Sequence, residues 1–462
     1  MHPPTGKLAT AVTASLAALI IPLWLIPDPA TIYAIKHFGY WAMLATLAFA
    51  AFNARGIVAD TDRRRAFALV REHMPGLVAV AAVWALLHAH TAPGFNVLHD
   101  EYVLGATAKS LFQEGRAYVE AVVHQLDGEP IAGLGFVDKR PLLFPSLLAL
   151  AHTFTGFRPE NAFFLNSAFA LALLTAIYLL LARWAGRSHA VLAVLILGGL
   201  PLLAENTAGG GYDVLNLLLI ACLAAAGARY FAGDDRRDLN RLVLCGVLLA
   251  NVRQESIAYT LVPVLLFLAK SVRDRSVRLT WTAALSPLLL IPPLLSLSVF
   301  RADNRFIATT RENLFALAHL PENLGKAALY LFDTSAAHTN SLLLSAAGLT
   351  AMLLLAVRTC RAPRAFLAQS PVLPAFYAVA AVALCNTALV LACHWGEWTD
   401  PPVARFSLPF QLCLALAVPL AARFDFGRAH APKWLLGLAA VCAFLLAPGQ
   451  NARLDGANRF FL

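Results

Sequence analysis

Charge is what this sequence has least of. Only 14% of its 462 residues are Asp, Glu, Lys or Arg, while 59% are hydrophobic, and the mean hydropathy is +0.66. A soluble domain carries about a quarter charged residues, so that class is excluded. Paired cysteines are also lacking. The seven cysteines, Cys222, Cys245, Cys360, Cys385, Cys393, Cys413 and Cys442, include no CxxC pair, and most lie inside apolar stretches. That argues against a disulfide framework or a zinc site and makes them small buried hydrophobes. A third absence is a basic patch interleaved with aromatics. The net charge of +9 sits in short Lys/Arg clusters between apolar runs, which points away from nucleic acid as a partner. No short repeat is visible.

What the sequence has in quantity is long apolar runs. They fall at roughly 8–27, 37–53, 76–92, 161–182, 189–204, 212–231, 241–252, 257–270, 279–299, 341–357, 373–394, 404–422 and 433–447. Most are long enough to cross ~30 Å of hydrocarbon at ~1.5 Å per residue. The expected fold class is therefore an all-α polytopic membrane protein with about 13 transmembrane helices. The first run, Leu8 to Pro27, has the look of a signal sequence, but it is long, lacks a small-residue cleavage site and precedes further spans. It reads as an uncleaved first helix.

One further apolar segment, Pro141 to Phe157, is ambiguous, and charge placement decides it. If it does not cross, most of the 36 Lys and Arg share one side in short connections: Lys7, Arg55 to Arg71, Arg183 and Arg187, Arg229 to Arg241, Lys270 to Arg278, Arg358 to Arg364, and Arg423 to Lys433. By the positive-inside rule that side is cytoplasmic. Pro141–Phe157 then lies in the interface as an amphipathic or re-entrant helix. The N-terminus is expected inside, a short tail from about Pro448 outside, and the loops 93–160 and 300–340 outside. The whole of 1–462 is expected to form one transmembrane domain, with 93–160 as its catalytic loop and no large soluble C-terminal domain.

Chemistry-bearing residues concentrate in that first loop. His99-Asp100-Glu101-Tyr102 opens an amphipathic helix in which Leu104, Ala108 and Leu111 share a stripe and Gly115 is the stop. An acid at Asp100 is explained as a helix cap, but a cap needs one acid and here there are two. Two carboxylates in different surroundings can divide the roles of general base and supporting partner. Lys139-Arg140, just before the interfacial segment, suits a phosphate at headgroup level, or plain attraction to membrane lipids. Downstream, Asn251-Val252-Arg253-Gln254-Glu255-Ser256 interrupts what would otherwise be one apolar run. A charge at bilayer depth costs ~2.5–3.5 kcal/mol. The cheaper solution is two short helices meeting near the outer face, with Arg253 and Glu255 in a cavity or forming a mutual ion pair.

The stretches HDEYVLGATAKSLFQEG and DKRPLLFPSLLALAHTFTGFRPENAFF resemble the first outer loop of the GT-C class of integral-membrane glycosyltransferases. The resemblance is strongest to the branch containing the protein O-mannosyltransferases and the bacterial lipid A aminoarabinose and galacturonic acid transferases. It implies Asp100 as the catalytic acid that activates the acceptor, Glu101 as its neighbour, and Lys139 as the lysine that meets the donor phosphate. Arg140 stands where a proline is usual. Arg253 lies where the family places a basic residue at a helix break. Tyr212-Asp213, after Gly209-Gly210-Gly211, resembles an aspartate at a later outer turn, although an N-cap explains it equally. ARFSLPF, with Arg405 and Pro409, resembles an Arg-Tyr-x-x-Pro stretch, with Phe406 in place of tyrosine.

The function this implies is inverting transfer of a sugar from a polyprenyl-phosphate carrier to a glycan, lipid or protein acceptor on the outer, periplasmic face of a bacterial inner membrane. The expected site comprises Asp100 and Glu101 as catalytic pair, Lys139, Arg140, Arg253 and Arg405 for the donor phosphate, and His99, Tyr102, Tyr212 and Asp213 around the substrates. No cofactor is required by the spacing; for a divalent metal, His99, Asp100, Glu101 and Asp213 are the candidate ligands. One rival is a transporter or flippase of lipid-linked sugars, which would place ionisable groups at mid-span, whereas the acids here gather at outer ends. A polysaccharide ligase using Arg301, Arg305, Arg311 and His338 is another, and a non-catalytic scaffold is the third.

Overall fold

A computed structural model describes residues 5–55, 63–89, 91–95, 98–120, 123–126, 129–132, 135–302, 315–335, 337–427 and 430–447. Arg305, Arg311 and the tail from Pro448 lie outside the described residues, as do the side chains of His99 and Arg301. Among the described residues, nine helices are long and apolar enough to cross a membrane, or ten if one bent pair counts as a span. The protein is an integral, multi-pass membrane protein. The architecture is helical with one exception to the all-α expectation. Val123–Leu126 pairs antiparallel with Glu129–Ala132, with Val123 opposite Ala132 and Leu126 opposite Glu129. This small hairpin sits in the loop that the sequence marks as polar.

The chain divides into two compact units. The first takes residues 1–56, 97–165 and 233–311, the second 57–96, 166–232 and 312–462.

In the first unit, Asp28–Ala54 packs beside Ile291–Ala302 and Arg236–Ala250, and Leu98–Glu114 packs along Leu143–Thr155. Their shared core includes Ile35, Tyr40, Leu111, Leu142, Ala149 and Leu295, all buried. Leu104, Ala108 and Leu111 are each at most 2% exposed, so the predicted stripe is the buried face of its helix. Gly115 ends that helix with φ +67, a backbone state that costs a residue with a Cβ. The ambiguous apolar segment becomes a helix over Leu143–Thr155, 13 residues long. At ~1.5 Å per residue it measures about 20 Å, too short to cross ~30 Å of hydrocarbon. The predicted interruption is also present. The Arg236–Ala250 helix ends at Asn251, a 3-10 turn runs Glu255–Thr260, and Leu261–Asp274 follows.

The second unit holds Arg63–Ala89, the helices from residue 166 to Ala232, and everything from residue 315 onward that is described. The span expected at 76–92 begins further upstream, because helical backbone extends through the polar Arg63–His73 stretch. The span expected at 189–204 is two helices, Arg187–Gly198 and Pro201–Ala208, bent by 74°. Gly198 and Gly199 end the first, and Pro201 starts the second, where its missing N–H costs nothing. Leu342–Arg361 packs tightly along Leu408–Phe426. A Cβ at Gly348 would stand 2.5 Å from Leu414 Cβ and 3.1 Å from Leu414 Cα, so the glycine is what permits the approach.

Candidate active site

In the first unit, Asp100 and Glu101 occupy the first turn of the Leu98–Glu114 helix, inside it rather than at a cap before it. Negative charge is favoured there by the free amides and the helix dipole. Glu101 is buried, Asp100 keeps 18% of its side chain exposed, and Tyr102 is exposed. The chain then returns through Asp138-Lys139-Arg140, and the Arg140 guanidinium bridges two carboxylates. One of its terminal nitrogens pairs with Asp100 Oδ1, and Nη1 donates to Asp138 Oδ1 at 2.7 Å. The Arg140 amide also donates to Asp138 Oδ2 at 3.3 Å. Arg140 and Asp138 side chains are 10% and 7% exposed. Burial pushes the Asp138 carboxyl above its ordinary value of 3.8, against the downward pull of Arg140.

The helix break holds this loop in place. The amide of Leu143 donates to the Asn251 carbonyl at 3.0 Å, and Gln254 Nε2 donates to the Lys139 carbonyl at 2.9 Å. Lys139 itself is half-buried. Beside Gln254, Arg253 is 3% exposed and its Nε pairs with Glu255, so the ion-pair alternative describes its geometry. Tyr118, at the start of the same loop, donates to Glu114 Oε1 at 2.6 Å, and that bond pushes the phenol up to about 12.

In the second unit, Asp213 begins the Asp213–Ala232 helix and its Oδ2 stands 3.7 Å from Arg405 Nη1, both side chains being buried. The guanidinium carbon lies 6.0 Å from the Tyr212 ring centre and 5.7 Å from that of Phe406. Arg405 Nε donates to the Pro402 carbonyl at 3.0 Å. The glycine turn before Tyr212 is pinned by Asn166, whose Nδ2 donates to the Gly209 and Gly211 carbonyls at 2.8 and 2.7 Å. Nearby in sequence to Arg405, Gln411 Nε2 donates to Ser407 Oγ at 2.7 Å and to Tyr330 Oη at 3.2 Å.

Each unit thus gathers part of the expected set. The first brings Asp100 to Arg140 and ties Lys139 to the Arg253 turn; the second brings Asp213 and Tyr212 to Arg405. Reading the sequence missed Asp138 as a partner, Gln254 and Asn251 as tethers, and Asn166 as the clamp on the glycines. Asp138 had a visible signal, standing in the same tetrapeptide as Lys139 and Arg140. No local pattern marks Gln254 or Asn166.

Among the described residues, no group of three or more His, Cys, Asp or Glu side chains is placed to hold a metal. Asp100 and Asp138 already share the positive charge of Arg140, and Asp213 faces Arg405.

Residues 139–296 match the family described as dolichyl-phosphate-mannose-protein mannosyltransferase. The match begins at Lys139 and covers about a third of the chain. No curated protein sequence matches the chain. Among solved structures, ArnT from Cupriavidus metallidurans bound to undecaprenyl phosphate is similar at 14% identity, covering 83% of this chain and 78% of that one, with a TM-score of 0.38. The Archaeoglobus fulgidus oligosaccharyltransferase in its apo form is similar at 13% identity, covering 82% and 56%, with a TM-score of 0.48. The same oligosaccharyltransferase tethered to an acceptor peptide is 11% identical, covering 82% and 55%, with a TM-score of 0.44.

Proposed function

From a chain whose residues 139–296 match a mannosyltransferase family, we propose an inverting transferase that moves a sugar from a polyprenyl-phosphate carrier to an acceptor hydroxyl on the outer face of the membrane. The observation that carries this reading is the Asp100 carboxylate, partly exposed in the first turn of its helix and set beside the Lys139-Arg140 loop by Arg140. The matched family's own description names a dolichyl-phosphate sugar, which supports a lipid-phosphate donor. Nucleotide sugars are confined to the opposite face, so a lipid carrier also fits an outward site.

The chemistry balances with these residues. The acceptor O–H gives its proton to Asp100 as its oxygen attacks the anomeric carbon. The bond from that carbon to the phosphate oxygen breaks on the far side, which inverts the configuration. The electron pair leaves with polyprenyl phosphate, whose growing charge is met by Lys139. Glu101, buried next to Asp100, supports the base. In this reading the chain makes about 13 crossings with its N-terminus inside, which the short Leu143–Thr155 helix and the placement of the basic clusters support. The acceptor class is a glycan, a lipid or a protein hydroxyl.

The test is purified protein in detergent or vesicles given a labelled polyprenyl-phosphate sugar and a panel of acceptors. Wild type is expected to release polyprenyl phosphate in step with labelled product, and Asp100→Asn to lose that release. Equal transfer by both proteins would remove Asp100 as the base.

A further inference from the structure

We propose that the Leu320–Leu331 helix lies in the membrane interface, with the face made by Leu324, Leu329 and Phe332 set among phospholipid chains. This placement stands independently of the transfer reading. The helix has 12 residues, so at ~1.5 Å per residue it is about 18 Å long and too short to cross ~30 Å of hydrocarbon. Its sequence divides its surface into three faces. Asn323, Ala327, Tyr330 and Leu331, spaced by three and four, are buried against the protein. Glu322 and Lys326 make a charged edge. The remaining arc, Leu324, Gly325, Ala328, Leu329 and Phe332, has no charge and is exposed throughout. Leu324 and Leu329 are 56% and 67% exposed. Phe315 and Leu317, just upstream, extend the same apolar surface.

What covers this face follows from where the helix is tied. Asn323 Nδ2 donates to the Leu391 and Cys393 carbonyls at 2.9 and 2.7 Å, and the Ala316 amide donates to the Ala392 carbonyl at 3.0 Å. Leu391 is the last residue of Val372–Leu391, a helix long and apolar enough to cross a membrane. At the other end, Asn340 Nδ2 donates to the Leu331 carbonyl at 3.1 Å, two residues before Leu342 begins a second such helix. The short helix is therefore held at the level where one span ends and another starts. Amphipathic helices at that level lie in the interface plane with their apolar face in lipid. Trp395, exposed just past Leu391, is the aromatic type that favours the same level. The charged edge is closed by the chain itself, since Lys326 Nζ pairs with Glu322 at 2.8 Å and with Glu397 at 2.7 Å. The exposed arc thus offers hydrocarbon alone, which fits acyl chains. The buried face joins this anchor to the candidate site, because Tyr330 accepts from Gln411, which also holds Ser407, two residues from Arg405.

The experiment places the unaltered full chain in phosphatidylcholine vesicles that contain a phosphatidylcholine with a diazirine on its acyl chain. After irradiation, lipid adducts are mapped by mass spectrometry of peptides. The proposal expects adducts on Leu324, Leu329 and Phe332, at least about fivefold more than on Glu322 and Lys326 of the same helix. Labelled spans with no adduct on the three apolar residues, or equal labelling of all five positions, overturns it. A second measurement separates lipid from a second copy of the chain. With p-benzoylphenylalanine at Leu329, irradiation in the same vesicles is expected to give phospholipid adducts on the monomer. Cross-linked dimers in place of those adducts overturn the proposal.

Discussion

Gln254 offers a measurable handle on the phosphate end of the site. Its side-chain amide donates to the Lys139 carbonyl at 2.9 Å, from the turn that also carries Arg253. Replacing it with alanine removes one hydrogen bond between half-buried groups, which contributes about 0.5–1.5 kcal/mol. The Leu143 amide still donates to Asn251, so the two segments stay joined and the fold is expected to survive. What loosens is the backbone that carries the Lys139 ammonium. If that ammonium meets the carrier phosphate, the lost order appears as weaker binding, and RT arithmetic turns the energy into about a two- to tenfold higher Kd. Gln254→Glu should be worse than Gln254→Ala, since it sets an acceptor against the Lys139 carbonyl and adds a negative charge near an expected phosphate. The assay is titration of polyprenyl phosphate against each purified variant, with thermal unfolding followed on the same samples. Unchanged affinity in both variants, at unchanged stability, would refute the idea that this bond positions Lys139 for the phosphate.

Three further predictions come from packing and burial. Gly348→Ala puts a Cβ against the backbone of Leu414, which cannot swing aside, so a destabilisation of ~1–3 kcal/mol is expected. Gly39→Ala meets only the Leu142 Cδ1 methyl at 2.6 Å, beside a cavity of about 180 Å³ lined by Leu142, Met43 and Leu295 that gives the methyl room, so its melting midpoint should fall less than that of Gly348→Ala. For Asp138, burial raises the folded-state pKa, so the native protein binds more protons than the unfolded chain between the ordinary value of 3.8 and the raised one. Its contribution to stability is present at low pH and is lost as pH rises through that window. Denaturant unfolding at stepped pH should show this slope in wild type and not in Asp138→Asn.

The sequence carried the helical membrane class almost completely, because apolar runs of this length have one physical use. It also carried the break around Arg253, since two charges inside an apolar run force the helix apart, and it marked Pro141–Phe157 as a separate apolar segment, which folds as the short Leu143–Thr155 helix. Other features depend on contacts that periodicity does not encode. The 74° bend at Gly198-Gly199-Leu200-Pro201 was hidden inside a continuous apolar run, although its glycines and proline were the available signal. The Val123–Leu126 hairpin lies in a loop that composition marks only as polar. For the site, the acids and cations were visible as residue types, and resemblance assigned them roles. Their partners were not visible. Asp100 and Arg140 are 40 positions apart, and nothing local says that this arginine turns to that carboxylate. Asp213 and Arg405, far apart in sequence, meet in the same way in the second unit.

The most direct measurement is single-turnover transfer by Asp100→Asn, with donor binding determined on the same preparation. A general base contributes about 10²–10⁴-fold to rate. The account predicts that the variant binds the polyprenyl-phosphate sugar as wild type does and transfers it at least about 100-fold more slowly. Transfer at the wild-type rate by a protein that binds donor normally would contradict it.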